Sequence, residues 1–124
     1  MTAGSSPRET IPARLEALAA QARASIASAN AKFAQIRAER LDTVADDEHD
    51  PEGPTLAYEW SLALAQRRDA EQTLEEVDAA RARLADGTFG RCIDCGRPIA
   101  RARLEAYPTS ARCIDCQERF ERAS

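Results

Sequence analysis

The strongest constraint on the fold is a pair of Cys-x-x-Cys motifs. Cys92, Cys95, Cys113 and Cys116 are the only cysteines in 124 residues, and seventeen residues separate the two pairs. Two residues between cysteines let one tight turn aim both sulfurs at a single ion, and this spacing is that of a four-thiolate zinc site. Gly96 comes directly after the first pair and permits the positive φ that such a knuckle uses. The second pair leads into Gln-Glu-Arg-Phe-Glu-Arg, read as a short C-terminal helix with Cys116 in its first turn. Four Cys ligands leave no open position for water, so the expectation is one structural Zn2+ without catalysis. A disulfide pair, a redox dithiol and an iron–sulfur site are the competing chemistries for the same four residues.

A metal also answers a shortage of core material. Aromatic residues make up only 5% of the chain, and much of its 44% apolar share is alanine, which buries little surface per residue. Small cores of this kind need a metal, disulfides or a partner. The opening residues hold no apolar run of signal-peptide length, and no run approaches a membrane span, so a reducing cytoplasmic setting without membrane contact is expected.

Outside the cysteine segment the pattern is helical. Apolar residues recur at Ile11, Leu15, Leu18, Ala22, Ile26, Ala29, Phe33 and Ile36, with Leu41 and Val44 as weaker members. Steps of three and four place them on one face of a long helix starting near Thr10 and Pro12. A second stripe runs through Leu56, Trp60, Ala63 or Leu64, Ala70, Leu74, Val77 and Leu84, and Gly87 suits its end. Between them, ADDEHDPEGP carries Asp-Pro and Gly-Pro steps that interrupt helices. Two helices joined by a short breaker become antiparallel neighbours, each roughly 50 Å long at about 1.5 Å per residue. The fold class is therefore mainly α: a long antiparallel coiled-coil hairpin, a small four-cysteine zinc-finger module and a short C-terminal helix. Residues 1–9 are read as a flexible N-terminus, 10–86 as the hairpin with its tip at 42–54, and 87–124 as the finger and last helix.

Charge is unevenly placed. The chain carries 21 acids against 17 bases, a net of −4, yet residues 41–66 hold seven acids and no Lys or Arg. The acids concentrate at the bend: Asp42, Asp46, Asp47, Glu48, Asp50 and Glu52, with Glu59 just beyond. A charge run in a loop is usually a solvated turn. At the end of two long helices it can instead reach a cation or a basic surface inside a narrow opening. His49, the only histidine, is read as polar filler, and Tyr58 and Trp60 as seam residues. An enzyme is not expected, since there is no Gly-rich phosphate cradle and no open metal position.

The stretch from Ser61 to Cys116 resembles the DksA/TraR family of zinc-finger transcription regulators. The likeness rests on SLALAQRRDAEQTLEEVDAARARLADGTFGRCIDCG and then RPIARARLEAYPTSARCIDC. Phe89-Gly90 precedes the first Cys pair there, and Arg103-Leu104-Glu105-Ala106 and Pro108-Thr109 precede the second. The resemblance implies a protein that binds RNA polymerase directly and not DNA, inserting its coiled-coil tip into the secondary channel to modulate initiation. Family tips have the pattern D-x-x-D-x-A. Asp47-x-x-Asp50 keeps the two acids, while Glu52 stands where Ala is expected, so Asp46, Asp47, Asp50 and Glu52 are the candidate tip residues. Longer members continue with a substantial helix after the second pair, whereas this sequence has eight residues past Cys116. Glu76 and Tyr107 stand where alarmone binding would call for basic residues, so no alarmone site is expected. The chain is expected to act as a monomer. Two rival readings remain: a zinc ribbon gripping nucleic acid through Arg91, Arg97, Arg101, Arg103 and Arg112, and a homodimeric coiled-coil scaffold.

Overall fold

The computed structural model describes residues 7–46 and 53–123. They form α1 (Pro7–Asp46), α2 (Gly53–Asp86), α3 (Arg101–Ala106) and α4 (Ile114–Ala123). Among the described residues there is no strand, only an isolated antiparallel bridge between Arg91 and Pro98. No helix among them is long and apolar enough to cross a membrane.

Both long helices start earlier than their stripes suggest. Pro7 opens α1, its fixed φ suiting a first turn where the missing N–H would have no partner, and Pro12 lies inside the helix. The Gly53-Pro54 step, read from sequence as a breaker, begins α2 for the same reason. The helices thus enter the acidic segment from both sides, with Asp42 and Asp46 in α1. Asp47, His49, Asp50 and Glu52 lie outside the described residues.

The buried seam keeps a strict seven-residue repeat. On α1, Leu15, Ala22, Ala29 and Ile36 are buried, and on α2, Leu56, Ala63, Ala70 and Val77. Such a repeat is the coiled-coil signature, and alanine at so many seam positions permits close backbone approach. Ala19, four residues after Leu15, is buried in place of Leu18, because the stripe takes the i+4 step there. Two further expectations fail: Leu41 is 73% exposed and Tyr58 65% exposed. Each lies off the seven-residue register that Ile36 and Leu56 continue.

The chain divides into two compact units. One comprises residues 20–74, where α1 and α2 pair antiparallel: Gln66 donates to the Ser25 hydroxyl (3.1 Å), and seven residues further along α1 and back along α2 Lys32 pairs with Glu59 (2.8 Å). Hydrogen bonding to Glu59 holds the Lys32 ammonium above its ordinary pKa. Phe33 is the main anchor, buried with Ala29 and Ala63 and set 4.4 Å from the Trp60 ring. Arg67 covers the Phe33 ring at 4.6 Å and donates to Asn30 at 2.8 Å.

The other unit comprises residues 1–19 and 75–124. Here Leu15 and Val77 are completely buried, and Arg81 reaches Glu16 at 2.8 Å. Gly87 ends α2 at φ +82°, and the Thr88 N–H closes back on the Arg83 carbonyl at 3.0 Å, the bond that seals a left-handed helix end. The Thr88 hydroxyl and amide both donate to Asp86, lowering that carboxyl below its ordinary pKa.

Candidate metal centre

The first Cys pair sits in a knuckle built by backbone bonds. Cys92 N–H donates to the Arg97 carbonyl (2.8 Å), Gly96 N–H to Cys92 (3.0 Å) and Ile99 N–H to Gly90 (2.7 Å). Gly96 has the positive φ expected of it, +76°, and nothing lies within 4 Å of where a Cβ would stand. Backbone conformation, not space, is what requires glycine there. The second pair is placed by a helix start. Cys113 offers its carbonyl to Gln117 N–H at 2.9 Å, and Cys116 lies in the first turn of α4. One backbone bond links the pairs, from Ile93 N–H to the Ala111 carbonyl at 2.9 Å.

Between the pairs lies α3, which the apolar pattern of the sequence does not announce. Its Leu104 packs with Cys113 on the small core of Cys92, Ile99 and Cys116. The six residues Arg101–Ala106 are strong helix formers, the signal that would have revealed it.

All four sulfurs lie within 4.8 Å of one another. The Cys95 and Cys113 sulfurs are 3.8 Å apart. That is nearly twice a disulfide bond of about 2.05 Å. It equals the edge of a tetrahedron with about 2.3 Å from centre to sulfur, the Zn–S distance. The donor set thus fits a tetrahedral four-thiolate ion. Cys92 and Cys116 are buried, Cys113 is half-buried and Cys95 is exposed. Burial opposes ionisation of Cys92, yet hydrogen bonding from the backbone around Cys113, Cys95 and Asp94 outweighs it and lowers this thiol to about 6. Burial, then the neighbouring sulfurs, pushes Cys116 up to about 12.

Arginines brace the site. Arg112 Nε donates to Asp94 Oδ2 at 2.7 Å, its guanidinium lies 3.9 Å over the Phe120 ring, and its carbonyl accepts from Arg103 Nε at 3.0 Å. Arg83 Nη2 reaches the Thr109 carbonyl at 3.3 Å, and burial lowers its pKa. Arg119 Nη2 stands 3.6 Å from Cys116 Sγ. Arg91 donates to the Gly96 carbonyl and Arg101 faces Glu105 at 3.8 Å. Four of the five arginines that suggested a nucleic-acid grip are therefore engaged within the finger. Arg-Cys-Ile-Asp-Cys occurs twice in the sequence, at 91–95 and 112–116, but the repeat does not reveal which arginine makes which contact.

Of the candidate residues, the structure brings the four cysteines together. Asp46 is the last residue of α1, and the other tip acids, Asp47, Asp50 and Glu52, fall outside the described residues.

Comparison with known proteins agrees with this finger. Residues 87–122 match the prokaryotic dksA/traR C4-type zinc-finger family. The RNA polymerase-binding transcription factor DksA of Caulobacter vibrioides is 40% identical over 62 residues, half of this chain and 44% of that protein. Its Escherichia coli K12 counterpart is 37% identical over 59 residues, 48% of this chain and 39% of that protein. The chain thus spans less than half the length of these curated relatives in the matched region. The solved structure of the transcription factor DksA2 from Pseudomonas aeruginosa superposes with a TM-score of 0.61 at 24% identity, covering 92% of this chain and 84% of that one, and shares the fold.

Proposed function

We infer, from the match of residues 87–122 to the dksA/traR C4-type zinc-finger family, that this chain is a member of that family of transcription factors and an RNA polymerase-binding regulator, not an enzyme. The observation that carries this is the matched finger, together with 40% identity over 62 residues to a protein named for polymerase binding. One structural zinc held by Cys92, Cys95, Cys113 and Cys116 orders the finger, supported by the gathering of their four sulfurs within 4.8 Å of one another. Four thiolates around a divalent ion leave no coordination site for substrate, so the ion supplies folding energy alone. The finger anchors the protein on the polymerase, and the acidic segment with Asp46, Asp47, Asp50 and Glu52 enters the secondary channel toward the active-site magnesium. That last step rests on the family resemblance and on the charge excess of the segment.

The test is copurification of the full chain with core RNA polymerase at physiological salt, and then in vitro transcription with the Asp47→Ala, Asp50→Ala double variant. Binding retained with the transcriptional effect lost supports the reading; no association sinks it. The nucleic-acid reading is disfavoured because Arg103 and Arg112 are engaged within the finger, leaving the exposed Arg91 and Arg101 with contacts of their own at the surface. A salt-sensitive gel shift by the zinc-loaded chain without polymerase would restore it.

A further inference from the structure

We propose that Arg112 is a positioning residue for the metal: by gripping Asp94 it sets the spacing between the two cysteine pairs and offsets the negative charge around the ion. The proposal rests on the zinc reading above.

Arg112 is tied to both cysteine-bearing segments and to α3 and α4. It precedes Cys113 directly and so belongs to the second pair. Its Nε holds Asp94, which lies between Cys92 and Cys95 in the first pair, at 2.7 Å. Its guanidinium face covers Phe120 of α4, the helix that carries Cys116, at 3.9 Å. Its backbone carbonyl is fixed by Arg103 of α3 at 3.0 Å. The Arg112 side chain is 20% exposed and that of Asp94 45%, so one partner of the pair is held against the finger while the other meets solvent.

Charge gives a second reason for the contact. Four thiolates around one divalent cation carry a net −2, and Asp94, between Cys92 and Cys95 in sequence, adds a further negative charge nearby. Arg112 offsets that charge, and its single Nε–Oδ2 contact ties the two pairs together. Metal sites are commonly tuned in this way by groups that touch ligand-bearing segments instead of the ion.

The chain carries its own control. The repeated Arg-Cys-Ile-Asp-Cys gives Arg91 and Asp115 the same sequence relation to cysteines as Arg112 and Asp94. Arg91, however, donates within its own knuckle to the Gly96 carbonyl at 3.2 Å, and Asp115 lies in the first turn of α4. No Arg91–Asp115 pair exists among the described residues. A role arising merely from residue type near the metal would belong to both pairs; a role arising from the bridge belongs to one.

The experiment is a double-mutant cycle on the full, reduced, zinc-loaded chain, reading zinc affinity by competition with a chromogenic chelator and far-UV helicity in parallel. Arg112→Ala and Asp94→Ala should each weaken zinc binding about tenfold, the size seen when such supporting partners are removed. The double variant should fall within about twofold of either single, because both remove one interaction. Arg91→Ala with Asp115→Ala should show no such coupling. If an alanine variant loses the finger's structure, Arg112→Gln and Asp94→Asn supply the same cycle with side-chain volume kept. Additive losses, or singles indistinguishable from wild type, overturn the proposal. A wild-type chain that binds no zinc at all overturns the zinc reading instead, and this proposal with it.

Discussion

Two identical pentapeptides in this protein adopt different structures. Arg91-Cys-Ile-Asp-Cys95 forms a turn closed by Gly96 at φ +76° and bridged to Pro98, whereas Arg112-Cys-Ile-Asp-Cys116 runs straight into α4. The difference lies in the residues on the C-terminal side of each. Gly-Arg-Pro supplies a left-handed residue and then one with no N–H, so a helix cannot propagate. Gln-Glu-Arg-Phe supplies residues that propagate one readily. The central isoleucines remain equivalent, Ile93 being 54% exposed and Ile114 55%. The burial of the cysteines is mirrored: the outer two, Cys92 and Cys116, are buried, while Cys95 is exposed and Cys113 half-buried. Five residues set the chemistry of the knuckle, and the next three set its shape.

The sharpest test of this contrast is to remove what both pentapeptides serve. Cys116→Ser, or stripping the metal with a strong chelator, should abolish stoichiometric zinc and the cooperative thermal transition of the finger, since such sites contribute on the order of 10 kcal/mol of folding energy. Far-UV helicity from the Phe33–Trp60 region should largely survive; its complete loss would show that the long helices also depend on the ion.

The next largest effect separates the two flanks. Gly96→Ala should destabilise the zinc-loaded protein by about 1–2 kcal/mol in denaturant unfolding, the cost of a left-handed backbone for a residue with a Cβ. Gln117→Ala, in the equivalent position after the second pair, should change stability by less than about 0.5 kcal/mol. Equal effects would mean that glycine is not what turns the first knuckle.

Smaller still is the contrast between the two aspartates. Asp115→Asn removes a negative charge from the first turn of α4 and should lower stability by about 0.3–1 kcal/mol, an effect that fades with added salt. The smallest differences are expected at the isoleucines. Ile93→Ser and Ile114→Ser should each lie within about 0.5 kcal/mol of wild type in the free protein. If either variant impairs polymerase copurification while leaving stability unchanged, the two knuckles differ in what they meet, not in how they fold.

Much of this was legible in the sequence because it is local. Knuckle spacing, the glycines at 87 and 96 and the seven-residue seam depend on chemistry within a few turns of chain. Tyr58 was misplaced, and Leu18 is half-buried beside the fully buried Ala19, because a stripe drawn in steps of three and four tolerates either neighbour, whereas packing against a second helix selects one. The helix α3 was missed because six residues give too short a period to read.

The sequence by itself determined which atoms can hold a metal and that two long helices flank an acidic segment, since ligand spacing and apolar periodicity are properties of the chain alone. Only the tertiary structure decided which of two identical arginines reaches across to the other cysteine pair. Arg91 and Arg112 have the same neighbours in sequence from one Cys to the next, and only the fold brings Asp94 and Phe120 to one of them. A contact spanning eighteen residues depends on how the intervening chain folds back, which no pattern within either pentapeptide encodes.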